Sequence, residues 1–148
     1  MLNSLAQQCY QASKSKGFHN EEEIFDMLYR SRGFTGLLDE QREQIKTAFT
    51  VQAIGLIITE LSEAIEALRS GKLSSMENFR QLIQDNPDDK YFPEHFEKYI
   101  KDSYEDEVAD AAIRIFDLCG KLGIDLDSHV HLKMKYNATR PARHGKLF

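Results

Sequence analysis

The stretch that decides the fold is Glu60-Leu61-Ser62-Glu63-Ala64-Ile65-Glu66, inside what reads as the longest helix of the chain. At 3.6 residues per turn Glu60 and Glu63 are neighbours on the helix surface. The apolar positions around them are Phe49, Ala53, Leu56, Ile57, Leu61, Ala64 and Leu68. At 100° per residue Glu60 falls within that apolar sector and Glu63 at its edge. A carboxylate on a core-facing stripe is costly without a partner. Glu107-Val108-Ala109-Asp110 repeats the anomaly. There Glu107 borders the stripe of Tyr104, Val108, Ala111, Ile115, Leu118 and Leu122, and Asp110 lies one step further round. Two inward acidic pairs suit a shared hard divalent cation. The competing reading is a pair of solvated helix faces, with Asp110 and Arg114 as an ordinary i,i+4 ion pair.

Working outward, residues 3–16 read as a first helix stopped at Gly17, and Asn20 with Glu23 resembles a capping box opening a second helix to about Arg30. Ser31–Gly36 is a glycine-punctuated loop, and Asp39 suits the start of the long helix, which ends near Gly71. Residues 72–102 have a different texture, two short helices around the turn-rich Asp85–Asp89, with Pro93 in the first turn of the second. Ser103 caps the helix of Glu107 and Asp110, which stops near Gly123. A last helix starts at Asp125 or Asp127 and runs to about Asn137, before a basic tail. Strand alternation is found nowhere. The expectation is an all-α single domain over 1–148, a helical bundle with a helical insert at about 72–102.

The 148 residues carry a net charge of -5, which argues against a protein that coats nucleic acid. No uninterrupted apolar run reaches the length of a membrane span, and the first eighteen residues lack the pattern of a secretory signal. Cys9 and Cys119 are far apart and outside any CxxC, as expected of reduced thiols in a cytoplasmic protein. Carboxylates from two facing helices can hold Mg²⁺ against a phosphate chain, and phosphates also need cations. Lys133, Tyr136, Asn137 and Arg140 share one face of the last helix, where Lys133 and Arg140 supply the cations and Tyr136 and Asn137 orienting polar groups. Basic residues in a last helical turn also simply suit the helix dipole. His129 and His131 point to different faces, so zinc is disfavoured.

Taken together, the ExxE of Glu60–Glu63, the ExxD of Glu107–Asp110 and the closing segment Tyr136–Lys146 resemble the all-α nucleoside triphosphate pyrophosphohydrolase superfamily. That superfamily includes MazG, the dCTP pyrophosphatases, the dimeric dUTPases and the phosphoribosyl-ATP pyrophosphohydrolases. The resemblance covers roughly residues 18–146, with an insert longer than in compact MazG domains. It implies a MazG-like four-helix-type bundle that converts a (d)NTP to a (d)NMP and pyrophosphate. It also implies Mg²⁺, for which Mn²⁺ can substitute, held by Glu60, Glu63, Glu107 and Asp110, with Glu63 orienting the attacking water or taking its proton. Lys133, with Arg140 or Lys146, would hold the outer phosphates, and Asn137 would contact the sugar. Phe18, His19, Phe34 and Tyr136 are stacking candidates for the base, and Gln52 is placed to read base or ribose. The expected partners are the nucleotide and one or three further copies in a homodimer or homotetramer, with neither nucleic acid nor membrane. The rival readings are a phosphoribosyl-ATP pyrophosphohydrolase and a non-catalytic helical metal-binding or interaction protein.

Overall fold

A computed structural model describes residues 1–30, 39–85 and 88–141. The described residues form seven α-helices and one 3₁₀ turn, with no strand among them. They are α1 (Leu2–Ser15), α2 (Asn20–Arg30), α3 (Asp39–Arg69), α4 (Met76–Asp85), α5 (Phe92–Tyr99), α6 (Tyr104–Leu122) and α7 (Leu126–Ala138). The all-α expectation holds. The expected capping box of α2 does not form. Glu23 turns back to Lys14 at 2.7 Å, and the Asn20 amide donates to the Gly17 carbonyl at 3.1 Å. The Lys14 ammonium, reaching across from α1, competes better for the carboxylate than a backbone amide does.

The helix ends are fixed by local chemistry. Gly71 and Gly123 both take positive φ, 70° and 65°, where a Cβ would be strained. The amide after Gly123 then satisfies the Cys119 carbonyl at 3.0 Å. Ser103 caps α6 by accepting from the Asp106 amide, and Asp125 caps α7 by accepting from Ser128.

Packing centres on α6, which holds α1 on one side and α3 on the other. α3 and α6 run antiparallel: Glu60 meets Arg114, while the Tyr104 amide donates to the Lys72 carbonyl at 2.9 Å. Small residues set the close approaches. Among the described residues the buried apolar set is Ala6, Ala64, Ala67, Ala111, Cys119 and Ile100, and no large side chain is fully buried. α2 is tied across by Asp26 with Arg42 and Lys46, by Glu22 with Lys121, and by Phe25 against Phe49. Between α3 and α6, the segment of α4, a 3₁₀ turn (Asp89–Tyr91) and α5 packs largely on itself, through Phe79, Phe92 and Phe96.

The α3 stripe needs a correction. Ala64 is buried and Phe49, Ala53 and Ile57 are half-buried, but Leu61 and Leu68 face outward. The buried line is instead Glu60–Ala64–Ala67, from which Leu61 and Leu68 each lie one residue, or ~100°, further round. A second correction concerns the membrane. As a whole helix, α3 is long and apolar enough by length and composition to cross one. No uninterrupted run shows this because Gln52, Glu60 and Glu63 break it.

At the far end of α6 the chain's first residues are held by α7. Asp127 accepts from the Met1 ammonium and from the amides of Leu2 and Asn3, all at 3.0–3.1 Å. Asn3 Nδ2 donates to Asp125 at 2.7 Å. Bonds from Ser128 and Asn3 hold the Asp125 carboxyl down at about 2. Its folded value lies below its unfolded one, so its contribution is complete above the usual carboxylate range and is lost as pH falls toward 2. The Asp127 carboxyl is held below its ordinary range by the Asn3 amide, the Met1 ammonium and the Leu2 amide and follows the same sign, so the protection of the Leu2 and Asn3 amides relative to their intrinsic exchange rates should fall on acidification before that of the rest of α1. Asp127→Ala should produce the same local opening at neutral pH.

Candidate metal and phosphate site

Glu60 on α3 and Glu107 on α6 are each only 7 % exposed, and Asp110 lies beside them at the surface. One carboxylate oxygen from each falls within 4.8 Å of the others. They come together because Glu60 sits on the line of α3 that faces α6. Glu107 and Asp110 sit one turn apart near the start of α6. Glu63 is exposed and outside that tight group, yet close enough for its charge to act on both Glu107 and Asp110.

Burial, then the charges of Glu63, Asp110 and Glu60, push the Glu107 carboxyl above its ordinary range. Asp110 is pushed up by burial and by Asp106, with Arg114 opposing. The strain of gathered like charge is relieved at one point by a cation from the chain itself. Arg114 Nε donates to Glu60 Oε1 at 2.5 Å. Arg114 thus ion-pairs with Glu60 across the helix interface rather than simply with Asp110 on its own helix. The donor set, all carboxylate oxygen with neither thiol nor imidazole, fits a hard divalent cation.

A cavity of about 320 Å³ opens beside Asp110 and Arg114. Phe18, His19, Phe49 and Gln52 line it, with Lys121 at its edge. His19 is fixed by Asp117 at 2.9 Å and by an edge-on contact with Tyr10. Three of the expected substrate residues, Phe18, His19 and Gln52, therefore share a cavity with Asp110, the one member of the acidic group that lines it. The α7 set is placed elsewhere. Lys133 and Arg140 flank the Tyr136 ring at 5.3 and 5.9 Å, α7 docks on α1, and none of the set, Asn137 included, lines this cavity. Lys146 and Phe34 lie outside the described residues.

Sequence reasoning missed the cavity roles of Arg114, Asp117, Lys121 and Phe49. Arg114 and Asp117 follow Asp110 at helical spacing, so the signal was a polar row continuing along one line of α6. No family model matches the chain, and no curated protein or solved structure matches it either.

Proposed function

We propose that this protein is a Mg²⁺-dependent nucleoside triphosphate pyrophosphohydrolase with a MazG-like bundle, which splits the α–β phosphoanhydride bond and releases pyrophosphate. The observation that carries the reading is the meeting of Glu60, Glu107 and Asp110, with Asp110 also lining a cavity that has aromatic and amide walls. Carboxylates that serve packing alone gain nothing from being buried against each other.

Glu60, Glu107 and Asp110 would hold the ion, which when bound neutralises phosphate charge and eases attack at phosphorus. Glu63, exposed next to them, is the group free to take a proton from the attacking water. Arg114 and Lys121 are the cations nearest the cavity. Each is paired with a carboxylate, Glu60 and Glu22, that it would exchange in part for phosphate oxygens. Phe18 and Phe49 offer ring faces to a base, and the Gln52 amide offers a donor and an acceptor to its edge. On α7, Lys133 and Arg140 remain a second pair of cations on one face.

The test is pyrophosphate against phosphate release from a panel of NTPs and dNTPs with Mg²⁺, run beside Glu63→Gln and Asp110→Asn. Pyrophosphate release by the wild type and its loss in both variants is the expected result. Retained activity in both variants would place the reaction elsewhere, and no release from any nucleotide would refute the proposal.

A further inference from the structure

Asp117 lines the cavity but takes no part in holding the ion. It follows Asp110 by two turns of α6, so it keeps nearly the same face of that helix roughly 10 Å further on. On α3, Gln52 precedes Glu60 by roughly 12 Å of helix. Because α3 and α6 are antiparallel, both displacements run the same way, and Asp117 and Gln52 lie toward the end of the cavity away from the gathered carboxylates. The offset is about the span from the first phosphate of a nucleotide to the outer edge of its base. The Asp117 carboxylate is also held in one orientation. His19 Nε2 donates to its Oδ1 at 2.9 Å, and the edge-on Tyr10 ring fixes the imidazole in turn. A carboxylate has no proton to give, so the hydrogen of this bond belongs to Nε2 and Asp117 stays an acceptor. Among the described residues it accepts from His19 alone, which leaves Oδ2 for a ligand. The two side chains are only 11 and 20 % exposed, so an acceptor set against a ligand's own acceptor there is costly.

We propose that Asp117, oriented by His19, selects a nucleobase that carries an exocyclic amine where its rivals carry a carbonyl: cytosine over uracil and thymine, adenine over hypoxanthine. The inference rests on the nucleotide reading of the cavity. Gln52 cannot make this choice. Its amide presents both a donor and an acceptor, so it meets the bare ring nitrogen of cytosine or adenine with one, and the ring N–H of uracil or hypoxanthine with the other. Asp117 offers acceptors only. An amino group donates to Oδ2, whereas a carbonyl oxygen would face it with neither group satisfied. The rings of Phe18 and Phe49, on the same cavity wall, stack on any base and supply affinity without choice. The discrimination therefore belongs to the one polar group of this end that cannot reverse its hydrogen-bonding sense.

Calorimetric titration with α,β-methylene triphosphates, whose α–β bridge cannot be hydrolysed, reads the choice without the reaction. The matched pairs are the analogues of CTP and UTP and those of ATP and ITP, in ribose and deoxyribose forms, with Mg²⁺. In each pair that binds, the amino member should bind at least about 30-fold more tightly. Asp117→Asn keeps an acceptor for His19 and adds a donor, and should bring each ratio to within about 3-fold of unity or invert it. Gln52→Ala should weaken both members of a pair alike and leave their ratio standing. Equal binding by the wild type, preference for the carbonyl member, a ratio that survives Asp117→Asn, or a ratio lost in Gln52→Ala would each overturn the assignment. Should Asp117→Asn fail to fold, the wild-type and Gln52→Ala ratios decide it. Selective binding without pyrophosphate release would refute the hydrolase and leave the choice of base standing. Pyrophosphate release with unselective binding would do the reverse, and binding of no analogue would overturn both.

Discussion

Gly120→Val should destabilise the protein by about 3 kcal/mol, the upper part of the usual range for overpacking. For a chain of this size that is a fall in melting temperature of roughly 6–12 °C. Gly120 sits inside α6, where α1 crosses it. A Cβ there would lie against the Ala6 carbonyl oxygen, and 2.8 Å from both the Ala6 carbonyl carbon and Tyr10 Cβ. Two of these are backbone atoms of a packed helix, so neither can swing aside. The Gly120 carbonyl also accepts from Gln7 Nε2 at 3.1 Å, and parting the helices would strand it. Gly120→Ala regains helix propensity, ~1 kcal/mol, yet meets the same atoms, so it should still destabilise by a smaller amount. A thermal melt of both variants checks this. An unchanged transition in Gly120→Val would mean that α1 is not held by this crossing.

Glu107→Gln should act in opposite directions on stability and on chemistry. In the metal-free protein the Glu107 carboxyl is raised above its unfolded value by burial and by the neighbouring carboxylates. A raised acid favours folding while it is protonated. That contribution is complete below the ordinary glutamate range and disappears as pH rises through the raised value. Near neutral pH the group is therefore a charge that folding must confine. The neutral isostere removes it and should stabilise the apo protein by about 1 kcal/mol, the usual scale for relieving a functional site. In the proposed enzyme the same change deletes an ion ligand and should lower pyrophosphate release at least about 100-fold. It should also abolish stabilisation by added Mg²⁺. Melts at pH 5 and pH 8, with and without Mg²⁺, separate the effects. The gain over wild type should be larger at pH 8. If Glu107→Gln melts lower than wild type at pH 8 without metal, the strained-carboxylate account of this site is wrong.

The inward position of Glu60 was legible in the sequence because helical phase alone puts it among alanines and leucines. Glu63, at the sector's edge, reads as half of an inward pair and is exposed instead. Phase could not say which apolar residues belong to one chain's interior. Leu61 and Leu68 look like core in any helical projection, and they turn outward because the buried line is made of Ala64 and Ala67. Small residues at a close helix approach carry a weak hydrophobic signal, and large ones on an open face carry a strong one. The same blindness hid Gly120, which reads as a poor helix former rather than as a crossing point. Pairings across the fold were invisible for another reason. Arg114 has Asp110 four residues away in sequence, and only the α3–α6 contact puts Glu60 within its reach. The location of α7 beside α1 follows from Asp125 and Asp127 receiving the first three residues, a contact across more than 120 positions that no local pattern announces.

The bond from the Tyr104 amide to the Lys72 carbonyl makes the segment between the motif helices a closed detour. The chain leaves α3 and re-enters α6 at almost the same place, tied there by Lys72–Asp102 and by the Ser74 amide on Glu105. The bundle registers only where the detour begins and ends. Doubling its length would cost only about 0.6 kcal/mol in closure entropy. Shortening it to a few residues would leave the Glu60–Arg114 pairing in register. Evolution could therefore lengthen, trim or exchange α4 and α5 as a cassette, and alter what surrounds the carboxylates without disturbing the two helices that hold them.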